Sequence, residues 1–197
     1  DVQIWEHIVF EEIEDWIVRS CVGLENFVQI WENIIIFDNH NHALYFWIEA
    51  VRKWIITPWF ELIHIDEHSD LWNNDNILNQ EKAKTNTEYA WNFTNLLCNV
   101  GNYILPAINC WLIGTMIRIE NEYQIDAYMD YIPSDNSVLN LDLDIFAPEL
   151  EHIQEEKKID IIINLIKKVK YVTIATSPYF IEQWKVIKML QKLFQKL

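Results

Sequence analysis

Three short stretches of this sequence gather most of its donor-rich chemistry: DNHNH at 38–42, DEHSD at 66–70 and DLD at 142–144. Each supplies carboxylates, imidazoles or both. Groups of this kind repel one another, or lose their hydration unrewarded, unless a cation or hydrogen-bond donors compensate them. A metal centre is the economical reading of Asp66, His68, Asp70, Asp142 and Asp144 taken together, with His40 or His42 as the imidazole from the first stretch. Taken alone, Asp142 and Asp144 read equally well as solvated or capping carboxylates. His64, two residues before Asp66 and inside an apolar run, reads as a satisfied core histidine or one that orients a ligand.

The surrounding sequence says how such groups would be held. ELIHI before Asp66 and VLNL before Asp142 carry the β-branched and apolar residues of buried strands. If a strand continued through DEHSD, then Asp66, His68 and Asp70 would share one face by the period-two alternation of side chains; if it stopped near Asp66, they would ring a loop mouth. Asp142 and Asp144 would likewise point the same way. Further along, the spacing predicts a strand in NIIIFD and a helix in NHALYFWIEAVRKWI. The stretch 72–87, with five Asn and neither Pro nor Gly, reads as a loop. Helices are expected over TEYAWNFTNLLCN and from YILPAINCWL, then a strand in GTMIRIE, an acidic loop through Pro133, a strand in SVLNLDLDIF, a helix over 149–170, a strand in YVTIAT and a last helix from Tyr179.

Strands alternating with helices imply an α/β three-layer sandwich with a mainly parallel sheet flanked by helices. In such sheets ligands gather where loops leave the carboxyl ends of the strands, and all three donor-rich stretches fall at such ends.

Composition narrows the function classes. With 197 residues, 51% apolar, and ten Trp, nine Phe and eight Tyr, the chain reads as one globular domain over 1–197, with 1–27 as an N-terminal extension. The pentapeptide VQIWE occurs at 2–6 and again at 28–32, which reads as chance or shared strand propensity ahead of an ancient duplication. The formal charge of −15 is unevenly spread: residues 1–70 hold 14 acidic and 3 basic groups, residues 157–197 hold 2 and 9. An acidic body argues against a nucleic-acid partner, and the lysines near the C-terminus fall at intervals that suit a solvated helix face. Cys21, Cys98 and Cys110 form no CxxC pair, no apolar run is long enough for a membrane span, and the N-terminus lacks signal-peptide features, so a cytoplasmic protein is expected. The first residue is not Met, and a preceding N-terminal element is expected.

The segments FDNHNHALYFW, LIHIDEHSDLW, NYILPAI, LDLDIFAPE and TIATSPYF resemble the arginase-like UPF0489 family, within the arginase and deacetylase superfamily of metal-dependent hydrolases. The likeness runs over most of residues 34–181 and implies an arginase-like fold. It implies further that Asp66 and Asp142 bridge up to two divalent ions, with Asp70 and a histidine of DNHNH completing one and His68 and Asp144 the other. His42 fits the superfamily's position better and His40 is its rival.

Oxygen-rich ligation with one imidazole per ion favours Mn2+, with Zn2+ or Fe2+ as alternatives. Two such ions would hold and acidify a water for attack on a non-peptide C–N bond of a small amide, amidine or ureido compound. Trp72, Ser177 and Tyr179 are candidate pocket residues, although TSP also reads as a simple strand-to-helix turn. Two departures from the superfamily pattern stand out: no histidine lies between His68 and His152, and TSPYF carries no acidic residue. Both argue against arginine or agmatine as substrate. The rival expectation is a catalytically silent binding or scaffold protein retaining a structural metal.

Overall fold

A computed structural model describes residues 23–197, together with the backbone of 11–14 and 17–20. The first VQIWE copy, at 2–6, lies outside the described residues. Strands β1 (Glu11–Glu14) and β2 (Ile17–Ser20) form an antiparallel pair. The main sheet has six strands: β3 (Phe27–Trp31), β4 (Ile34–Phe37), β5 (Phe60–Ile65), β6 (Ile113–Ile119), β7 (Ser137–Asp142) and β8 (Tyr171–Ala175), in the order β3-β4-β8-β7-β5-β6. All neighbours pair in parallel except β3 with β4, which are antiparallel.

The central strands are buried on both faces, which is why IIIF, SVLNLD and YVTIA read as nearly continuous apolar runs. One face packs under helices α1 (Ala43–Arg52), α2 (Gln80–Thr85), α3 (Thr87–Leu96) and α4 (Ile104–Asn109); Ile35, Phe37, Leu62 and Val138 point into this core, with Trp47 fully buried at its centre. The other face packs under α5 (Glu122–Tyr128), α6 (Glu155–Ile166) and α7 (Gln183–Lys196); Ile34, Ile36, Ile63, Leu139 and Ile174 point there. The result is an α/β three-layer arrangement about a mostly parallel sheet. Among the described residues no helix is long and apolar enough to cross a membrane.

Several boundaries differ from the sequence reading, each for a local reason. The asparagine-rich stretch contains α2, because the Asn79 side chain accepts from the Lys82 amide and starts a helix there; Asn86 does the same for α3, accepting from Tyr89. Asn121 caps α5 by accepting from Gln124, within the segment expected to be an acidic loop. The strand expected to run through SVLNLDLDIF ends at Asp142 and turns into a 3-10 segment, Leu143–Phe146. Two helices also start later than expected, α6 at Glu155 and α7 at Gln183.

Candidate metal centre

Four adjacent parallel strands, β4, β8, β7 and β5, release their chains at one edge of the sheet, and the donor-rich stretches meet there. After β5, Asp66 Oδ1 accepts the His68 backbone N–H at 2.6 Å; after β7, Asp142 Oδ1 accepts the Asp144 N–H at 2.9 Å. Both are aspartate turns closed two residues on. The spacing of two in D-x-H and D-x-D therefore comes from a turn and not from strand alternation, which corrects the shared-face expectation in favour of a loop mouth. Each turn consumes one carboxylate oxygen and leaves Oδ2 facing inward.

Those inward oxygens converge on His40, held in a 3-10 turn (His40–His42) between β4 and α1. His40 Nδ1 lies 2.9 Å from Asp66 Oδ2, 3.0 Å from Asp70 Oδ2 and 3.0 Å from Asp142 Oδ2. One ring nitrogen can donate to only one of three such acceptors. None of these approaches has hydrogen-bond alignment at His40 Nδ1, Asp66 Oδ2 or Asp70 Oδ2, all of which are buried. Three buried carboxylates pointing at one place, two of them with inward oxygens that no donor satisfies, is the arrangement a cation fits. His42, the imidazole favoured from sequence, is buried with its ring tilted against Phe37 at 6.0 Å between centroids. The imidazole meeting the carboxylates is that of His40.

Beside this group, His68 Nδ1 sits 3.0 Å from Asp144 Oδ2 and 3.4 Å from Asp66 Oδ1. Ligand atoms of Asp66, His68 and Asp144 lie within 4.8 Å of one another, as do those of His40, His64 and Asp66, so both groups could hold a metal ion. Asp66 belongs to both.

The electrostatics follow from this crowding. Burial alone would push the His40 imidazole down, but the charges of Asp142, Asp66 and Asp70 hold it well above the ordinary histidine value. Burial would raise the Asp66 carboxyl; contacts with His40 and His68 hold it far below the usual carboxylate range instead. For Asp70, burial and the Asp66 charge prevail and push it up to about 7. Asp144 is likewise driven up by burial and by Asp142 and Asp66. His68 is held up to about 11 by its hydrogen bonds with Asp144 and Asp66. The protons on these imidazoles occupy the role of the missing positive charge.

Two site residues have left-handed backbone. Asp70 has φ 53°, a conformation aspartate tolerates, and Ser177 has φ 43°, which serine adopts only when its surroundings hold it there. Ser177 is buried and donates its hydroxyl to Asp142 Oδ2 at 2.5 Å. It therefore lies behind the carboxylates; it was expected to line the pocket. Trp72 and Tyr179 do line it. The cavity holds about 950 Å³, with His40, His68, Asp70, Asp142 and Asp144 among its walls, Trp72, Tyr179 and Phe180 as its aromatic side, and Glu67 and Glu149 as further carboxylates.

Other contributors were not singled out in the sequence. Lys158 on α6 is buried and donates to the carbonyls of Ile145 (2.9 Å) and Leu150 (2.6 Å), clamping the segment that follows Asp144. Asn140 and Thr173 form a buried polar row with His64 across β5, β7 and β8, paired in register. A polar residue in a buried strand was the only available signal for either of them. Compared with known proteins, the sequence matches no family model and no curated protein.

Proposed function

We propose that this protein is an arginase-like, binuclear metal-dependent hydrolase that cleaves a non-peptide C–N bond of a small amide, amidine or ureido compound. The observation that carries the reading is the convergence of the Asp66, Asp70 and Asp142 Oδ2 atoms on His40 Nδ1, beside the His68–Asp144 pair. His40 and Asp70 would hold one ion and His68 and Asp144 the other, with Asp66 and Asp142 shared. The oxygen-rich donor set favours Mn2+ over a thiolate-type zinc site. Ions bound there would acidify a water and polarise the bond under attack.

In the overall reaction the C–N bond breaks, a C–O bond forms from water, and the nitrogen leaves as an amine carrying a proton. With no histidine between His68 and His152, that proton passes through Glu67 or Glu149, the cavity carboxylates outside the ligand set. Trp72, Tyr179 and Phe180 would orient the apolar part of the substrate.

Protein purified without chelators and titrated with Mn2+ should take up two ions per chain, and a screen of small amides, amidines and ureido compounds should show amine or ammonia release. Failure to bind Mn2+, Zn2+ or Fe2+ would overturn the proposal. The missing downstream histidine also favours a second reading, a metal-holding scaffold without turnover. Asp142→Ala separates the two: an enzyme loses amine release, whereas a scaffold has none to lose and changes only in stability or partner binding.

A further inference from the structure

His64 presents a choice. Its Nε2 lies 3.4 Å from Asp66 Oδ2, near enough to join His40 and Asp66 around an ion, and it also lies 3.1 Å from the His68 carbonyl oxygen. A ring nitrogen cannot both carry a proton and bind a metal, so the location of the His64 proton decides its role.

That location is tied to a row of side chains on the same face of the sheet, under α1. The indole of Trp47, on α1, is a donor only, and its Nε1 donates to Thr173 Oγ1 at 3.2 Å. The Thr173 hydroxyl donates to Asn140 Oδ1 at 2.9 Å, with the Leu139 carbonyl a longer 3.4 Å away. Asn140 presents its oxygen to Thr173 and its amide nitrogen to the other side, donating to Tyr103 Oη at 2.8 Å and to His64 Nδ1 at 3.0 Å. In this arrangement His64 Nδ1 accepts, which leaves the proton on Nε2. The surroundings of Nε2 agree independently, because both neighbours, the His68 carbonyl and the Asp66 carboxylate, are acceptors.

We infer that His64 is a positioning residue: its Nε2–H, fixed by the donor chain Trp47, Thr173 and Asn140, ties the His68 carbonyl down and holds the Asp66–Asp70 turn so that Asp66 and His68 face the ions, while the ring itself takes none. The inference rests on the metal centre proposed above, but its central element, the tautomer, belongs to the metal-free protein as well. His64 is wholly buried and does not line the cavity, whereas His40 and His68 do.

The test is long-range 15N NMR of the histidine rings in 15N-labelled full-length protein, first metal-free and then titrated with diamagnetic Zn2+. His64 should show a protonated Nε2 and an unprotonated Nδ1 throughout, while His40 and His68 nitrogens shift as Zn2+ is added. An Nδ1-protonated His64, or a His64 Nε2 that takes on the shift of a zinc-bound nitrogen, would overturn the inference. If Zn2+ moves no histidine, the metal centre itself fails and the metal-free tautomer still decides the donor chain.

Substitution gives a second readout. His64→Leu should weaken Zn2+ binding roughly 10- to 100-fold, and His64→Gln, whose amide can still donate to the His68 carbonyl, should recover most of it. Equal loss in both variants would make His64 a ligand, and no loss in either would remove its positioning role.

Discussion

His68 Nδ1 and Asp144 Oδ2 lie 3.0 Å apart although 76 residues separate them in sequence, and Asp66 reaches both this pair and His40. The centre thus has two ends and a shared middle. Asp144→Asn should remove one of two bound Mn2+ ions and leave the other on His40, Asp66 and Asp70. Asp66→Asn should remove both. Metal content by mass spectrometry, with calorimetric titration for stoichiometry, checks the difference.

The protonated imidazoles give the metal-free protein a predictable pH dependence. His68 is raised from its ordinary value to about 11 and His40 is raised as well. A group whose folded pKa is raised contributes stability in full below its unfolded pKa and loses it as pH rises toward the folded one. The Tm of metal-free protein should therefore fall between about pH 7 and pH 10. Bound ions replace these protons, so Mn2+ should raise Tm more at pH 8 than at pH 6, and its binding should release protons, visible as a buffer-dependent heat. A metal-free Tm that climbs from pH 7 to pH 10 would contradict this electrostatic picture.

Ser177 orients Asp142, a ligand in the proposed metal centre. Its hydroxyl donates to Asp142 Oδ2, and the left-handed backbone at φ 43° is the strain accepted to bring it there. Ser177→Ala should weaken Mn2+ binding by roughly 10- to 100-fold while the fold persists, because the carboxylate loses its orienting donor. Calorimetric titration gives the affinity, and circular dichroism shows whether the sheet is intact.

The strand ends carrying these groups were legible because a parallel sheet buried on both faces leaves long apolar runs, and each run stops at an aspartate: FELIHI before Asp66, SVLNL before Asp142. The meeting of three distant stretches followed from where such sheets expose their carboxyl ends. What the sequence hid was geometry set by single hydrogen bonds. An aspartate turn and a strand give the same spacing of two. The choice between His40 and His42 depends on a 3-10 turn of three residues. Asn140 and Thr173 are single polar residues in apolar strands, and only the register of β5, β7 and β8 brings them beside His64.

Lys158 is a buried lysine whose ammonium donates to two carbonyls, Ile145 and Leu150. Lys158→Met would keep the apolar stem and leave both carbonyls without this donor. Hydrogen bonds from charged donors contribute about 1.5–3 kcal/mol each, so a loss of about 2 kcal/mol or more in urea denaturation is expected. The segment after Asp144 should loosen as well, with faster amide exchange over 145–150.

Gly101 and Trp72 define the mouth of the cavity. The Trp72 amide donates to the Gly101 carbonyl at 2.8 Å, and a Cβ built on Gly101 would stand 2.9 Å from Trp72 Cε3. Gly101→Ala therefore forces the indole to move. Trp72 is 63% exposed, so the ring can swing outward at little cost and global stability should change by no more than about 0.5 kcal/mol. The ligand carboxylates do not touch this contact, and Mn2+ stoichiometry should be unchanged. The indole N–H resonance of Trp72, assigned through a Trp72→Phe control, should shift, and a substrate of the proposed hydrolase activity should show a higher KM with kcat nearly preserved. An unmoved indole resonance would mean that the backbone of Gly101 yields instead, and the aromatic side of the cavity would then be less firmly tied to this glycine than its close packing indicates.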